Sequence, residues 1–281
     1  MSSDSLVWRA GTHQIRCGER TLVMGVLNVT PDSFSDGGEF LDADRAAEHG
    51  LRMVADGADI VDVGGESTRP GSDAVSASEE RDRVVPVVER LARELDVPIS
   101  IDTMKPDVAS AALQAGASIV NDVSGGRDPA MLEVVRDAGA GLVLMHMLGE
   151  PNTMQQEPEY DDVVQDVHAY LRKRVHAAVE AGIERDHLCV DPGIGFGKTL
   201  EHNLTLLKHC FAFRDLRVPV LFGPSRKAFL GHLLDADPDD RLEGTAAAAA
   251  WLASRGAHIV RVHDVREISR VVRVIDAIRN A

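Results

Sequence analysis

Short apolar runs recur along the chain at 22–29, 59–63, 98–102, 118–122, 141–146, 188–191, 218–223 and 258–263. Each is rich in β-branched residues, shows little polar alternation and is flanked by Gly, Pro or Asp. That is the pattern of a parallel strand buried on both faces. Between the runs the apolar period becomes helical. Val164, Val167, Leu171, Val175 and Val179 mark one stripe in a helix expected over 161–181, which Gly182 ends. Val265, Ile268, Val271, Val272, Ile275 and Ile278 mark another in the last segment. Ser76 and Glu79 have capping-box spacing ahead of a helix that carries Val84 to Leu95.

Eight strand–helix units predict an α/β fold, a closed (β/α)8 or TIM barrel rather than an open doubly wound sheet. Residues 1–20 precede the first unit and are expected to form a short N-terminal hairpin over the barrel's bottom. No linker, charge run or low-complexity stretch divides the 281 residues, so one domain, 1–281, is expected, with 1–20 as its extension.

In such a barrel the C-terminal strand ends form the active face. Here they carry Asn28, Gly64-Gly65-Glu66, Asp102, Asn121-Asp122, His146, Asp191, Ser225-Arg226-Lys227 and Arg261-Val262-His263. Buried strands have no structural need of such groups, and burying them is costly unless they are partnered. Two long polar loops follow the first strands, 30–38 and 66–72, with Phe34 and Arg69 near their centres. Strands 7 and 8 are the usual barrel phosphate position, and Lys227, Arg261 and His263 are the better anion candidates there. Arg226 reads rather as a surface salt-bridge residue.

Composition narrows the function classes. A formal net charge of −15 argues against a nucleic-acid partner. Cys17, Cys189 and Cys210 have neither metal nor disulfide spacing, which points to a reducing cytoplasm. No signal peptide or membrane span is expected. Segment 193–199, GIGFGKT, imitates a phosphate-binding P-loop, but Pro192 stands where that motif needs its first glycine. The histidines include no zinc spacing. His13, His49, His168, His176, His187, His202, His209, His232 and His258 read as surface or packing residues.

The segments GVLNVTPDSFSDGG (25–38) and DVGGESTRPG (62–71) resemble the two signatures of the dihydropteroate synthases. SIDT (100–103), VNDVSGG (120–126), MHM (145–147), DPGIGFGK (191–198), GPSRK (223–227) and RVHDV (261–265) resemble further motifs in the same order. The similarity covers nearly the whole chain beyond residue 20.

The resemblance implies an enzyme that condenses 6-hydroxymethyl-7,8-dihydropterin pyrophosphate with 4-aminobenzoate, by loss of pyrophosphate and amine attack on a pterin cation. It assigns catalysis to Asp102, Asp191 and Lys227. The pterin falls to Asp102, Asn121, Met145, Asp191, Phe196, Gly223 and Lys227. Pyrophosphate falls to Asn28, Thr68, Arg69, Arg261 and His263, and Mg2+ to Asn28 and Asp36. Phe34, Thr68, Arg69, Pro70, Phe196, Lys227 and Ala228 would enclose 4-aminobenzoate. A homodimer and membership of a sulfonamide-target family are also implied.

The sequence departs from the family at Ala228, where many members have Ser, at Pro224, and at Leu148, where a longer polar residue is common. These departures put second-substrate affinity in question and leave the pterin residues intact. The first two loops hold few apolar residues, so the 4-aminobenzoate pocket is expected to form only once pterin pyrophosphate and Mg2+ are bound. The nearest rival is a folate-dependent methyltransferase with a pterin-binding barrel, which would not need Asn28, Arg261 and His263. A catalytically silent barrel is the other rival, and none of the motifs is degraded.

Overall fold

The computed structural model describes residues 5–29, 39–66, 75–149, 154 and 157–281, with backbone only for 39–42. Strands β1 (Leu6–Ala10) and β2 (His13–Cys17) form the expected antiparallel hairpin, in register from Leu6↔Cys17 to Ala10↔His13. Eight parallel strands follow: β3 (Leu22–Asn28), β4 (Ile60–Gly64), β5 (Ile99–Asp102), β6 (Ile119–Asp122), β7 (Gly141–Met145), β8 (Leu188–Asp191), β9 (Leu221–Phe222) and β10 (Ile259–Val262). Their order is β8-β7-β6-β5-β4-β3-β10-β9, and a parallel bridge between Val190 and Val220 joins the two ends into a barrel.

The expected seventh strand, 218–223, shrinks to two ladder residues. Pro219 has no N–H to give to a ladder. The next N–H, of Val220, donates to the imidazole Nδ1 of His258 at 3.0 Å instead of to a strand.

The helices are α1 (Glu39–Ala55), α2 (Ala77–Glu94), α3 (Pro106–Gln114), α4 (Pro129–Ala138), α5 (Val163–Glu180), α6 (Leu200–Lys208), α7 (Ala228–Leu234), α8 (Leu242–Ser254) and α9 (Val265–Arg279). The seventh unit thus holds two helices, the short α7 lying directly after the Lys227 segment. Val179 and Ile278 are not on the buried stripes the sequence suggested: they are 42% and 69% exposed. At roughly 100° per residue each lies well over 90° from the first residue of its helix. Ala178 and Asp276 take the buried places, and the Asp276 carboxylate accepts the Thr21 backbone N–H at 2.7 Å, tying α9 to the start of β3.

Ser76 caps α2 by accepting the Glu79 N–H at 3.2 Å, but Glu79 turns to Arg83 and leaves the box half made. A complete box opens α6 instead, between Thr199 and His202.

Strand parity sorts the core into two layers. Val61, Val63, Val120, Leu142, Leu144, Val260 and Val262 face outward against the helices. Met24, Ile60, Ile119, Val143, Cys189, Leu221 and Ile259 face inward and pack with Trp8, Ala10, Ile15 and Cys17 of the hairpin. Trp8 is wholly buried, and its indole N–H donates to the His187 carbonyl at 2.9 Å. The hairpin therefore plugs the bottom of the barrel. Two residues further along each strand, the inward positions become the mouth.

Candidate active site

Strand register builds the mouth. Asn28 pairs with Gly64, Gly64 with Asp102, and Asp102 with Asn121, so four consecutive strands present these residues in one row. Gly64 leaves space in that row. A Cβ there would lie 3.8 Å from Asp102 Oδ2 and 3.9 Å from Asn28 Oδ1. From β10, Arg261 reaches across the barrel: Nε donates to Asp62 Oδ2 and Nη2 to Asp102 Oδ2, both at 2.6 Å. Asn121 Nδ2 donates to the same Asp62 oxygen at 3.0 Å.

Asp191 ends β8 and accepts the Gly193 N–H at 2.7 Å. Glycine is required at 193: φ is +71°, and a Cβ would come within 1.9 Å of the His146 carbonyl oxygen. Lys227 stands at the N-cap of α7, but its side chain does not cap the helix; its ammonium lies 4.0 Å over the Phe196 ring. Phe196, Met145, Met147, Met154 and Val123 form one apolar cluster beside it. Gly223 borders Arg261, 3.9 Å separating its virtual Cβ from the arginine Cβ.

The electrostatics of this mouth are unusual for carboxylates. Burial pushes Asp102 up to about 7, helped by Asp62 and Glu80 and opposed by Arg261 and Lys227. Burial likewise raises Asp191 to about 6, against the Gly193 N–H, Lys227, Arg261 and Lys198. Burial works against the charge on Arg261, yet Asp62 and Asp102 hold its pKa above the ordinary arginine value. Burial, then Arg261, Arg226 and Lys227, drive His263 down to about 3. Its neutral ring is oriented by Ser225, whose Oγ accepts the His263 backbone N–H at 3.2 Å and lies 3.0 Å from Nδ1.

Asp102, Asn121, Met145, Asp191, Phe196, Gly223, Lys227, Arg261 and Asn28 all border this mouth or its apolar wall. His263 and the exposed Ala228 lie beside it on the β10 and α7 side. Phe34, Asp36, Thr68, Arg69 and Pro70 lie outside the described residues. Arg226 makes the expected ion pairs, to Asp264 at 2.6 Å and Asp239 at 3.1 Å.

Sequence reasoning missed two residues. Asp62 is wholly buried at the centre of the polar network. Its parity with Ile60 and Gly64, inside a run otherwise read only as apolar, was the signal. Lys198, dismissed with the imitation P-loop, is a buried amine that donates to the Phe196 carbonyl at 2.8 Å and meets His146 Nδ1 at 3.0 Å. Burial lowers it to about 7, and burial with Lys198 beside it lowers His146 to about 2. His146 is therefore a neutral brace among Tyr160, Tyr170 and Lys198.

Comparison with known proteins gives the family. The family model described as "Pterin binding enzyme" matches residues 24–263. The dihydropteroate synthase of Bacillus subtilis is 48% identical over 263 residues, covering 93% of this chain and 90% of that protein. A Yersinia pestis dihydropteroate synthase solved with a sulfonamide drug complex superposes with a TM-score of 0.93 at 44% identity, covering 98% of this chain and all of that one. A Xanthomonas albilineans dihydropteroate synthase solved with 4-aminobenzoic acid gives 0.92 at 45% identity, over 99% of both chains. By the span of the family model and the identity along the whole barrel, this chain belongs to the dihydropteroate synthases of the pterin binding enzyme family.

Proposed function

We propose that the mouth condenses 6-hydroxymethyl-7,8-dihydropterin pyrophosphate with 4-aminobenzoate, releasing 7,8-dihydropteroate and pyrophosphate. The observation that carries the residue roles is the convergence of two buried carboxylates, Asp102 and Asp191, with Arg261 and Lys227 in one opening. Asp191 accepts hydrogen bonds from the amino-pyrimidinone edge of the pterin, Asn121 meets the same edge, and Lys227 meets the ring carbonyl. Met145 and Phe196 supply an apolar wall for the ring.

The C–O bond to pyrophosphate breaks first, its electron pair leaving with the phosphate oxygen. Arg261, His263 and Asn28 receive that anion, with Thr68 and Arg69 from the second loop. The positive charge left on the pterin faces Asp102 and Asp191, whose fixed negative charge stabilises it. The amine nitrogen of 4-aminobenzoate then forms the C–N bond and loses a proton. Lys227 and the first residue of α7, Ala228, adjoin the 4-aminobenzoate carboxylate, while Phe34, Thr68, Arg69, Pro70 and Phe196 enclose its ring.

Mg2+ belongs to the same reading. Asn28 Oδ1 is a hard oxygen near Gly64, where a Cβ would lie 3.9 Å from it and 3.8 Å from Asp102 Oδ2. Such a site suits an ion that keeps most of its water and phosphate ligands. Asn28 and Asp36 would hold it, and the ion would supply charge neutralisation for the leaving group. A different acidic cluster, Glu184, Asp186 and His187, lies at the hairpin end, where Asp186 pairs with Arg9 at 3.1 Å. It has no part in this chemistry.

A homodimer and a cytoplasmic location complete the reading. Leu233, Leu234, Trp251, Val274 and Ile278 are exposed apolar side chains on the consecutive helices α7, α8 and α9, which supports a covered face. Cys17, Cys189 and Cys210 are buried free thiols, as suits a reducing compartment, and among the described residues no helix is long and apolar enough to cross a membrane.

The test of the reaction is pyrophosphate release. It is expected only with both substrates and Mg2+, with one dihydropteroate formed per pyrophosphate. Methyl transfer from a methylated folate without pyrophosphate release would favour the methyltransferase instead, which these relatives do not. Sedimentation at micromolar concentration should give twice the chain mass of 30.3 kDa.

A further inference from the structure

We infer that Asp62 is a positioning residue: it sets which end of the Asn121 amide meets the pterin, and it holds Arg261 so that Asp102 is released to the substrate. The inference rests on the reading of Asn121 and Arg261 as substrate ligands and deepens it.

Asp62 is wholly buried on β4, two residues beyond the inward-facing Ile60 of the hydrophobic plug. Its Oδ2 accepts from two donors, Asn121 Nδ2 at 3.0 Å and Arg261 Nε at 2.6 Å. Among the described residues its Oδ1 has no partner at all. A buried carboxylate with an unsatisfied oxygen is an expensive way to fill a barrel, and an apolar side chain of similar size would fill it more cheaply. The cost calls for a return in the chemistry.

The first return is polarity. An amide can turn either end toward a neighbour, but a carboxylate oxygen can only accept. With Arg261 already donating to it, that oxygen would repel the amide carbonyl of Asn121. The NH2 end must therefore face Asp62, and the Oδ1 acceptor is the end left for the ligand. Asn121 thus selects a ring edge that presents a donor.

The second return concerns Arg261. One guanidinium is shared by two acids, with Nε on Asp62 and Nη2 on Asp102. The Nε contact sits next to the aliphatic stem and fixes the guanidinium plane, while Nη2 is at the far end. When the pterin takes Asp102, Arg261 keeps its anchor on Asp62 and turns Nη2 to the departing anion. Without Asp62, Asp102 would be the one acid hydrogen-bonded to Arg261 among the described residues, and Arg261 would compete with the pterin for it.

Three variants of the full chain test this, with 6-hydroxymethylpterin as the calorimetric probe and thermal unfolding as the check on folding. Asp62→Asn is expected to bind the pterin about tenfold more weakly, the size of one hydrogen bond to a charged group. Its KM for 4-aminobenzoate should stay within about twofold. The swap Asp62→Asn with Asn121→Asp rebuilds the 62–121 pair in reverse and again leaves an acceptor for the ligand, but the amide nitrogen at the shared position cannot accept from Arg261 Nε. The swap should recover part, not all, of the affinity that Asp62→Asn loses, because only the contact to position 121 is rebuilt. A residue serving only the fold would show its loss in thermal unfolding, whereas Asp62→Asn is expected to lose pterin affinity with its unfolding little changed.

A swap no tighter than the single variant, or one that fails to fold, overturns the inference. Asn121→Ala separates the two levels. If it loses pterin binding while Asp62→Asn keeps it, the inference alone is overturned; if it binds normally, the reading of Asn121 on which the inference stands is overturned.

Discussion

The two ends of the barrel are made by the same strands and obey opposite rules. At the bottom, Ile60, Ile119, Cys189 and Ile259 point inward and close on Trp8 without a polar side chain among them. Two residues later the same strands place Asp62, Asn121, Asp191 and Arg261 inward. A step of about 7 Å along each strand separates a dry core from a charged mouth. The bottom buries mainly apolar area. The mouth buries charge, leaves oxygens of Asp62 and Asp102 unpartnered among the described residues, and holds carboxyls far from their ordinary protonation. Stability is concentrated at one end of each strand and chemistry at the other.

The largest effect should come from breaking the plug. Trp8→Ala removes a wholly buried ring and its hydrogen bond to His187, and is expected to cost about 3–5 kcal/mol in denaturant unfolding. Turnover per folded molecule should remain within about twofold below the new transition, since the mouth side chains lie a further step along the strands from Trp8. A loss of turnover without a loss of stability would reverse the comparison.

At the mouth the opposite split is expected. Asp102→Asn or Asp191→Asn should lower kcat by at least about a hundredfold, the loss typical of removing one electrostatic stabiliser. Unfolding free energy should change by less than the loss in kcat implies, because burial already disfavours the charge on both carboxyls. A variant that turns over within tenfold of the original would take the residue out of the catalytic set.

A pH series sharpens the contrast. Asp102 near 7 and Asp191 near 6 should make kcat/KM for the pterin substrate fall as pH drops through that window, because each must be ionised to face the cation. His263 and His146, near 3 and 2, contribute nothing there. The sign for stability is opposite. Both carboxyls are raised by folding, so they favour the folded chain fully below their unfolded values near 4, and that contribution is lost as pH rises through 6 and 7. In the plug, burial, with Asp59 nearby, pushes the Cys17 thiol up to about 12, out of this range.

The smallest change is Ala228→Ser. Ala228 is exposed at the first residue of α7, so a hydroxyl fits without repacking. The apparent KM for 4-aminobenzoate should drop by a factor equivalent to about 1 kcal/mol. An unchanged KM would mean that the backbone already satisfies the carboxylate.

Much of the fold could be read before any coordinates. Parallel strands buried on both faces leave near-continuous apolar runs, and β8 has the bounds those runs imply. Helix faces were harder. Val179 and Ile278 are as apolar as their neighbours, and only their angle around the axis turns them outward. The half-made cap at Ser76 and the complete one at Thr199 differ in what else competes for the third residue: Arg83 draws Glu79 away, whereas His202 stays with its cap.

The sequence by itself determined the barrel, the family, and the residues that end each strand, because strand period and motif order are local properties of the chain. Tertiary structure alone decided how those residues act on one another. Asp62 and Arg261 are 199 positions apart, and only barrel closure sets one guanidinium between Asp62 and Asp102. The same closure buries Lys198 against His146, which turns an apparent phosphate loop into a brace. Charge, protonation and hydrogen-bond polarity depend on which groups share a buried space, and that is set by register and closure, not by order along the chain.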